Sequence, residues 1–137
     1  MSGVITGSCH CGAAGYEVRG EPQAHFHCQC TSCARLSDSG HAALMVVPRA
    51  AVATRGALRA YDYKADSGRV VTRWFCPVCG TGLFNTNSGL SDITMLMASS
   101  LDDVERFKPQ AVVCASSGAS WDVMSPELKS YPRGFRS

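Results

Sequence analysis

The chain has 137 residues, a net charge of +2, 45% hydrophobic residues and 8 cysteines. A chain of this length suits one domain, 1–137, able to bury about two thirds of the surface its unfolded form exposes, so cross-links are not a precondition for folding. It has no Lys/Arg run interleaved with aromatics and no apolar stretch approaching about 18 residues, which argues against a nucleic-acid partner and a membrane span.

The first ten residues, MSGVITGSCH, carry no basic start and no apolar run. No secretory signal is therefore expected, and the default location is the cytoplasm, where thiols stay reduced. Residues 12–19, GAAGYEVR, alternate as a strand does, with Ala14, Tyr16 and Val18 on one face. Glu21-Pro22 turns the chain. His25 to Cys30 reads as a strand running into a metal loop, and LSDSGH further on has loop composition. Residues 41–47, HAALMVV, form an apolar run between Gly40 and Pro48 that predicts a buried strand. One helical turn is expected over 49–53. Leu58, Ala60 and Tyr61, then Val70, Thr72 and Trp74, predict two strands around a turn at Asp66-Ser67-Gly68. FCPVCG is a knuckle, and Gly82-Leu83-Phe84 leaves it. Residues 93–98 predict a strand and Leu101 to Phe107 a short helix, with Asp102 and Asp103 at its positive end. Residues 111–116 predict a late strand, and Pro126, Pro132 and Gly134 leave the tail irregular. The expected class is mainly β, with many short strands and little helix.

Seven of the cysteines cluster: Cys9 and Cys11, then Cys28, Cys30 and Cys33, then Cys76 and Cys79. Disulfides fit this spacing poorly. Residues two apart on a strand sit about 6.6 Å apart at Cα, whereas a disulfide wants about 5.5–6 Å and a set torsion. Two thiolates on one zinc need only converge to about 3.8 Å. Cys76-Pro77-Val78-Cys79-Gly80 is the strongest signal. Its turn can aim two sulfurs at one ion, Pro77 fixes a dihedral, and Gly80 permits a positive φ. Cys9 and Cys11 can complete a four-thiolate site, with Arg73 and Arg35 as nearby cations. Cys28, Cys30 and Cys33 then share a second ion and leave one position open, the arrangement of catalytic zinc sites. A fourth donor would close it; His25, His27, His41 and Cys114 are the candidates, although strand alternation turns His27 away from Cys28. His10 should point away from its flanking ligands. Cys114, Trp74 and Trp121 are expected in the core. A Cys30–Cys33 redox pair is the alternative use of the trio.

GSCHCGAAGYEV, HCQCTSCAR, RWFCPVCGTGLF, SSLDD and the stretch from Pro109 to Trp121, taken together, resemble the glutathione-dependent formaldehyde-activating enzymes, a family related to centromere protein V. The resemblance implies an Mss4-like zinc-binding β fold with two zincs per chain: a structural one on Cys9, Cys11, Cys76 and Cys79, and a catalytic one on Cys28, Cys30 and Cys33. It implies a carbon–sulfur lyase-type activity, in which a zinc-bound thiolate of glutathione or a similar thiol adds to formaldehyde or another small aldehyde. From their place beside the trio, backbone N–H groups around Thr31-Ser32 and the side chain of Arg35 are expected to bind the carboxylates of that thiol. Where the family commonly places a histidine after Pro109, this chain has Val112. The other reading is a non-catalytic zinc module that binds a thiol or a protein partner.

Overall fold

The most apolar run becomes the centre of the molecule. In the computed structural model, which describes residues 3–135, residues Ala42–Pro48 form a strand buried on both faces. Met45 and Val47 fill one side, and Ala42, Leu44 and Val46 fill the other. In chain order the strands are β1 (Ile5–Ser8), β2 (Gly15–Val18), β3 (Ala24–Cys28), β4 (Ala42–Pro48), β5 (Val52–Arg55), β6 (Arg59–Lys64), β7 (Val70–Phe75), β8 (Gly82–Asn87), β9 (Ile93–Met97), β10 (Ala111–Val113) and β11 (Lys129–Ser130). A single α-helix among the described residues, α1 (Thr31–Leu36), follows β3, and a few one-turn 3-10 segments complete the list.

Two sheets result. β1, β2 and β5 make a small antiparallel sheet. The large sheet runs β11-β10-β3-β4-β9-β8-β7-β6 and is antiparallel except where β10 lies parallel to β3 and β11. The small sheet covers one face of the large one. Ile5, Tyr16 and Val18 meet Met45, Val47, Leu83 and Leu96 there in the main core. Tyr16 Oη reaches Ser100 Oγ at 2.6 Å, and Gly7 bridges to Leu101, which fastens the small sheet to the turn after β9. Gly56 closes the join at φ +78°, where a Cβ would stand 2.0 Å from the Ala13 carbonyl. The second core covers the other face. It contains Phe26, Cys28, Leu44, Val46, Met97, Ala111 and Val113, with Tyr131 packed against them.

The β-rich class is as the sequence indicates. The differences are local. The segment after Cys30 enters a helix at once, because Cys30 itself caps it, so the stretch expected to be only a metal loop is α1. β1 and β5 have too few apolar residues to announce themselves and exist by pairing with β2. The expected late strand stops at Val113, since Cys114 adopts a left-handed φ of +56°. The helix expected over 101–107 shrinks to one 3-10 turn, Val104–Arg106, capped by Asp103 Oδ1 accepting from the Glu105 N–H at 3.1 Å. Trp121, expected in the core, is 71% exposed, because the segment carrying it docks through its neighbour Asp122 instead.

Candidate metal centres

The knuckle between β7 and β8 folds as its residues dictate. Gly80 takes φ +79° and donates its N–H to the Cys76 carbonyl at 2.9 Å, so Cys76 and Cys79 turn toward one point. The turn between β1 and β2 brings Cys9 and Cys11 to that same point. Cys9 and Cys11 sulfurs lie 3.6 Å apart, and Cys11 and Cys76 sulfurs 3.8 Å. All four lie within 4.8 Å of one another, and none is in a disulfide. Sulfurs tetrahedral about one zinc would be about 3.8 Å apart, so this donor set fits a divalent ion. Backbone N–H groups of Ala14 and Val78 donate to the Cys9 and Cys76 sulfurs at 3.3 and 3.4 Å. Donation from the Thr81 hydroxyl and backbone pulls the Cys79 thiol down to about 5, which readies it to ligate. His10 is exposed, and its backbone N–H donates to Thr81 Oγ1 at 3.0 Å. Arg73 lies over the Phe75 ring at 5.0 Å; Arg35 belongs to α1, beside the other cysteines.

The second group comes from one short stretch. Cys28 ends β3, Cys30 caps α1, and Cys33 lies in its first turn. Their sulfurs also lie within 4.8 Å of one another. The Cys33 N–H donates to Cys30 Sγ at 3.2 Å, which fixes that sulfur on the helix axis. The Cys28 and Cys33 thiols donating to Cys30 hold it far below its ordinary value, and donation to Cys30 pushes Cys28 up. Three converging sulfurs are a donor set suited to a cation. The expected ligand-side residues Thr31, Ser32 and Arg35 are all exposed on α1.

Of the four candidate closing ligands, the three histidines lie away from the trio and Cys114 lies beside it. His25 and His27 point to the opposite face of β3 from Cys28; His25 Nδ1 accepts from the Lys108 N–H at 3.1 Å, and the His27 ring packs on His41 at 4.6 Å. His41 Nδ1 sits 3.0 Å from the Asp122 carboxylate. Cys114 packs against the second core beside Cys30 and Cys33, and the Cys28 thiol donates to its sulfur, although that sulfur falls outside the group in which all lie within 4.8 Å of one another. Val112 pairs in register with His27 and is 2% exposed, so a side chain at that position faces away from Cys28.

Two features escaped the sequence reading. Burial, followed by the Cys33, Cys30 and Cys28 sulfurs, pushes the Tyr63 phenol up and keeps it neutral, so this residue of β6 stands within electrostatic reach of the trio. β6 is an edge strand and lies five strands from β3 in the sheet. No local pattern signals that. The second is the contact of Gln29, between two of the cysteines, with Asp122. Two shallow clefts of about 310 and 270 Å³, near Val4 and Arg19, carry no convergent donors and lie apart from both cysteine groups.

Among the described residues, no helix is long and apolar enough to cross a membrane. A search among curated proteins found no match. A crystal structure of a Rhodobacter sphaeroides protein is similar in fold, with a TM-score of 0.59 and 23% identity, over 72% of this chain and 88% of that one. Residues 4–117 match the model of the glutathione-dependent formaldehyde-activating enzymes. With both cysteine groups assembled and the match spanning most of its length, the chain belongs to the glutathione-dependent formaldehyde-activating enzyme family.

Proposed function

We propose that this protein promotes the addition of glutathione, or a thiol like it, to formaldehyde or another small aldehyde at the Cys28, Cys30 and Cys33 centre. The observation that carries the reading is the count of donors: four sulfurs converge at one point and three at the other. In this reading Cys9, Cys11, Cys76 and Cys79 hold a structural zinc, and Cys28, Cys30 and Cys33 hold a second zinc with a position left for the substrate sulfur. A zinc there lowers the pKa of an incoming thiol and acts as a Lewis acid and template.

The chain's own residues do the rest. Cys30 is fixed by the first turn of α1 and Cys28 by β3, so the three donors are preorganised before the substrate arrives. The neutral Tyr63 hydroxyl is a donor for the aldehyde oxygen as charge develops on it. Arg35, exposed on α1, offers a guanidinium for a carboxylate of the thiol, with Thr31 and Ser32 beside it. In the addition a sulfur–carbon bond forms, the carbonyl π bond breaks, and the thiol's proton ends on the former carbonyl oxygen. Holding the two reactants together supplies part of the acceleration. The uncatalysed addition is itself facile, so a modest site suffices.

The test is exchange-rate NMR on glutathione, formaldehyde and their S-hydroxymethyl adduct at equilibrium, with and without protein. Exchange faster than background that disappears in Cys30→Ser supports the reading. Thiol binding with two zincs and no rate above background would make the chain a non-catalytic zinc module. A reversible loss of two hydrogens with zinc release would make Cys30 and Cys33 a redox pair.

A further inference from the structure

Gln29 is the one residue between Cys28 and Cys30, so its backbone sets the relative direction of those two sulfurs. It is pinned at both ends. Its N–H donates to the Val113 carbonyl at 3.0 Å. Its side chain, in a residue only 5% exposed, donates from Nε2 to the Asp122 carbonyl at 3.1 Å and to Asp122 Oδ2 at 3.0 Å. The Asp122 carboxylate is held from a second side by His41 Nδ1, 3.0 Å from each oxygen. Two glycines make room: a Cβ on Gly40 would stand 2.4 Å from Asp122 Cγ, and one on Gly118 would stand 2.7 Å from Gln29 Oε1.

The partners are far apart in sequence, 93 positions for Gln29 and Asp122 and 81 for His41 and Asp122. Apolar burial does not explain why the chain returns here, since the neighbours Trp121 and Val123 are 71% and 86% exposed. The contact that docks this segment is the carboxylate itself, and what it grips is the link between two cysteines.

We propose that Asp122 is a positioning residue for the three-cysteine centre: through Gln29 it fixes the Cys28–Cys30 segment, and His41 fixes the carboxylate. The proposal rests on the reading that this centre binds metal. Fewer orientations of Gln29 mean fewer separations of the Cys28 and Cys30 sulfurs, so the donors meet an ion already in place. Removing such an outer support typically costs about 10–100-fold in metal affinity.

The test compares Asp122→Ala, Asp122→Asn, Gln29→Ala and the Asp122→Ala/Gln29→Ala pair with the parent, each loaded with zinc. Release of the two ions to a chromophoric chelator is followed, and hydrogen exchange of the Ala34 N–H, bonded to the Cys30 carbonyl at 3.0 Å, is measured in metal-free protein. In Asp122→Ala one zinc should bind about 10–100-fold more weakly while the other is unchanged, and exchange at Ala34 should quicken. Gln29→Ala should match it, and the pair should be no worse than either alone. Asp122→Asn, which still accepts from Gln29, should keep most of the affinity. Unchanged release, equal weakening of both ions or additive losses would overturn the proposal. If Asp122→Ala does not fold, Gln29→Ala and Asp122→Asn decide by the same readouts. One zinc in the parent would defeat the two-metal reading, and the exchange at Ala34 would then judge the clamp by itself.

Discussion

The two cysteine groups differ in what they tie together, and replacing one ligand in each exposes the difference. The four-cysteine group links Cys11 to Cys76, 65 positions apart, and thereby the small sheet to the large. Closing a loop of that length removes about 4 kcal/mol of unfolded-chain entropy at 25 °C, whereas the five positions between Cys28 and Cys33 give about 2 kcal/mol at most. A domain of this size loses about 3 °C of Tm per kcal/mol. Cys76→Ser should therefore lose one zinc and about 12 °C, and Cys30→Ser should lose the other zinc and about 6 °C or less. Burial widens the gap, since Cys76 is 0% exposed and Cys9 is 5% exposed. The assay is thermal unfolding followed by circular dichroism, with zinc per chain from elemental analysis on the same samples. An excess of chelator should bring the parent down toward Cys76→Ser. Equal falls in the two variants, or a greater fall in Cys30→Ser, would refute the division into a structural and a substrate-binding centre.

Burial holds the Tyr16 phenol above its ordinary value of 10, so its contribution is complete below pH 10 and is lost as pH rises beyond it. Tyr16→Phe should cost about 1 kcal/mol at neutral pH for the lost Ser100 contact and leave a shallower alkaline fall in urea midpoint than the parent. Gly56→Ala, placed at φ +78° against the Ala13 carbonyl, should cost at least about 1–2 kcal/mol of stability and lower the urea midpoint; an unchanged midpoint would mean the β5–β6 turn is not constrained as described. Tyr63→Phe should slow adduct exchange about tenfold or more with zinc content intact, as loss of one donor to a developing oxyanion does. Cys114→Ser should retain both zincs; loss of one would make Cys114 a ligand after all.

The division of the cysteines was legible because metal ligation imposes spacing rules on residues a few positions apart, and the turns at Cys9–Cys11 and Cys76–Cys79 obey them. That the two pairs meet across 65 positions followed from the number of donors an ion requires. The central strand and the β6–β7 and β9 strands were legible from apolar runs and turn residues. β1 and β5 were not, since a four-residue strand with an exposed edge carries almost no periodicity. α1 was hidden because its capping residue is also one of the clustered cysteines, and the cysteine pattern overshadowed the cap. Tyr63 and Asp122 were invisible for a different reason. The first lies on a strand five removed from β3 in the sheet, the second arrives by a return of the chain over 93 positions, and neither leaves a local pattern.

The pleat of β3 explains why no histidine of that strand joins the three sulfurs. Cys28 and Phe26 face the second core, so His27 and His25 must face the other way, and β10, parallel and in register, sends Val113 to the side of Cys28 and Val112 to the side of His27. A histidine introduced at 112 would join the His27, His41 and Asp122 side. Cys114 is one position past the strand, where the alternation ends, and its left-handed backbone is pinned by the Cys114 N–H donating to the Arg133 carbonyl at 2.8 Å and the Ser117 N–H donating to the Cys114 carbonyl at 3.0 Å. A chain held at both ends of that residue leaves its sulfur beside the trio, where the Cys28 thiol donates to it. Strand geometry thus turns His25, His27 and position 112 away from the trio, and of the four candidates only Cys114 is left beside it.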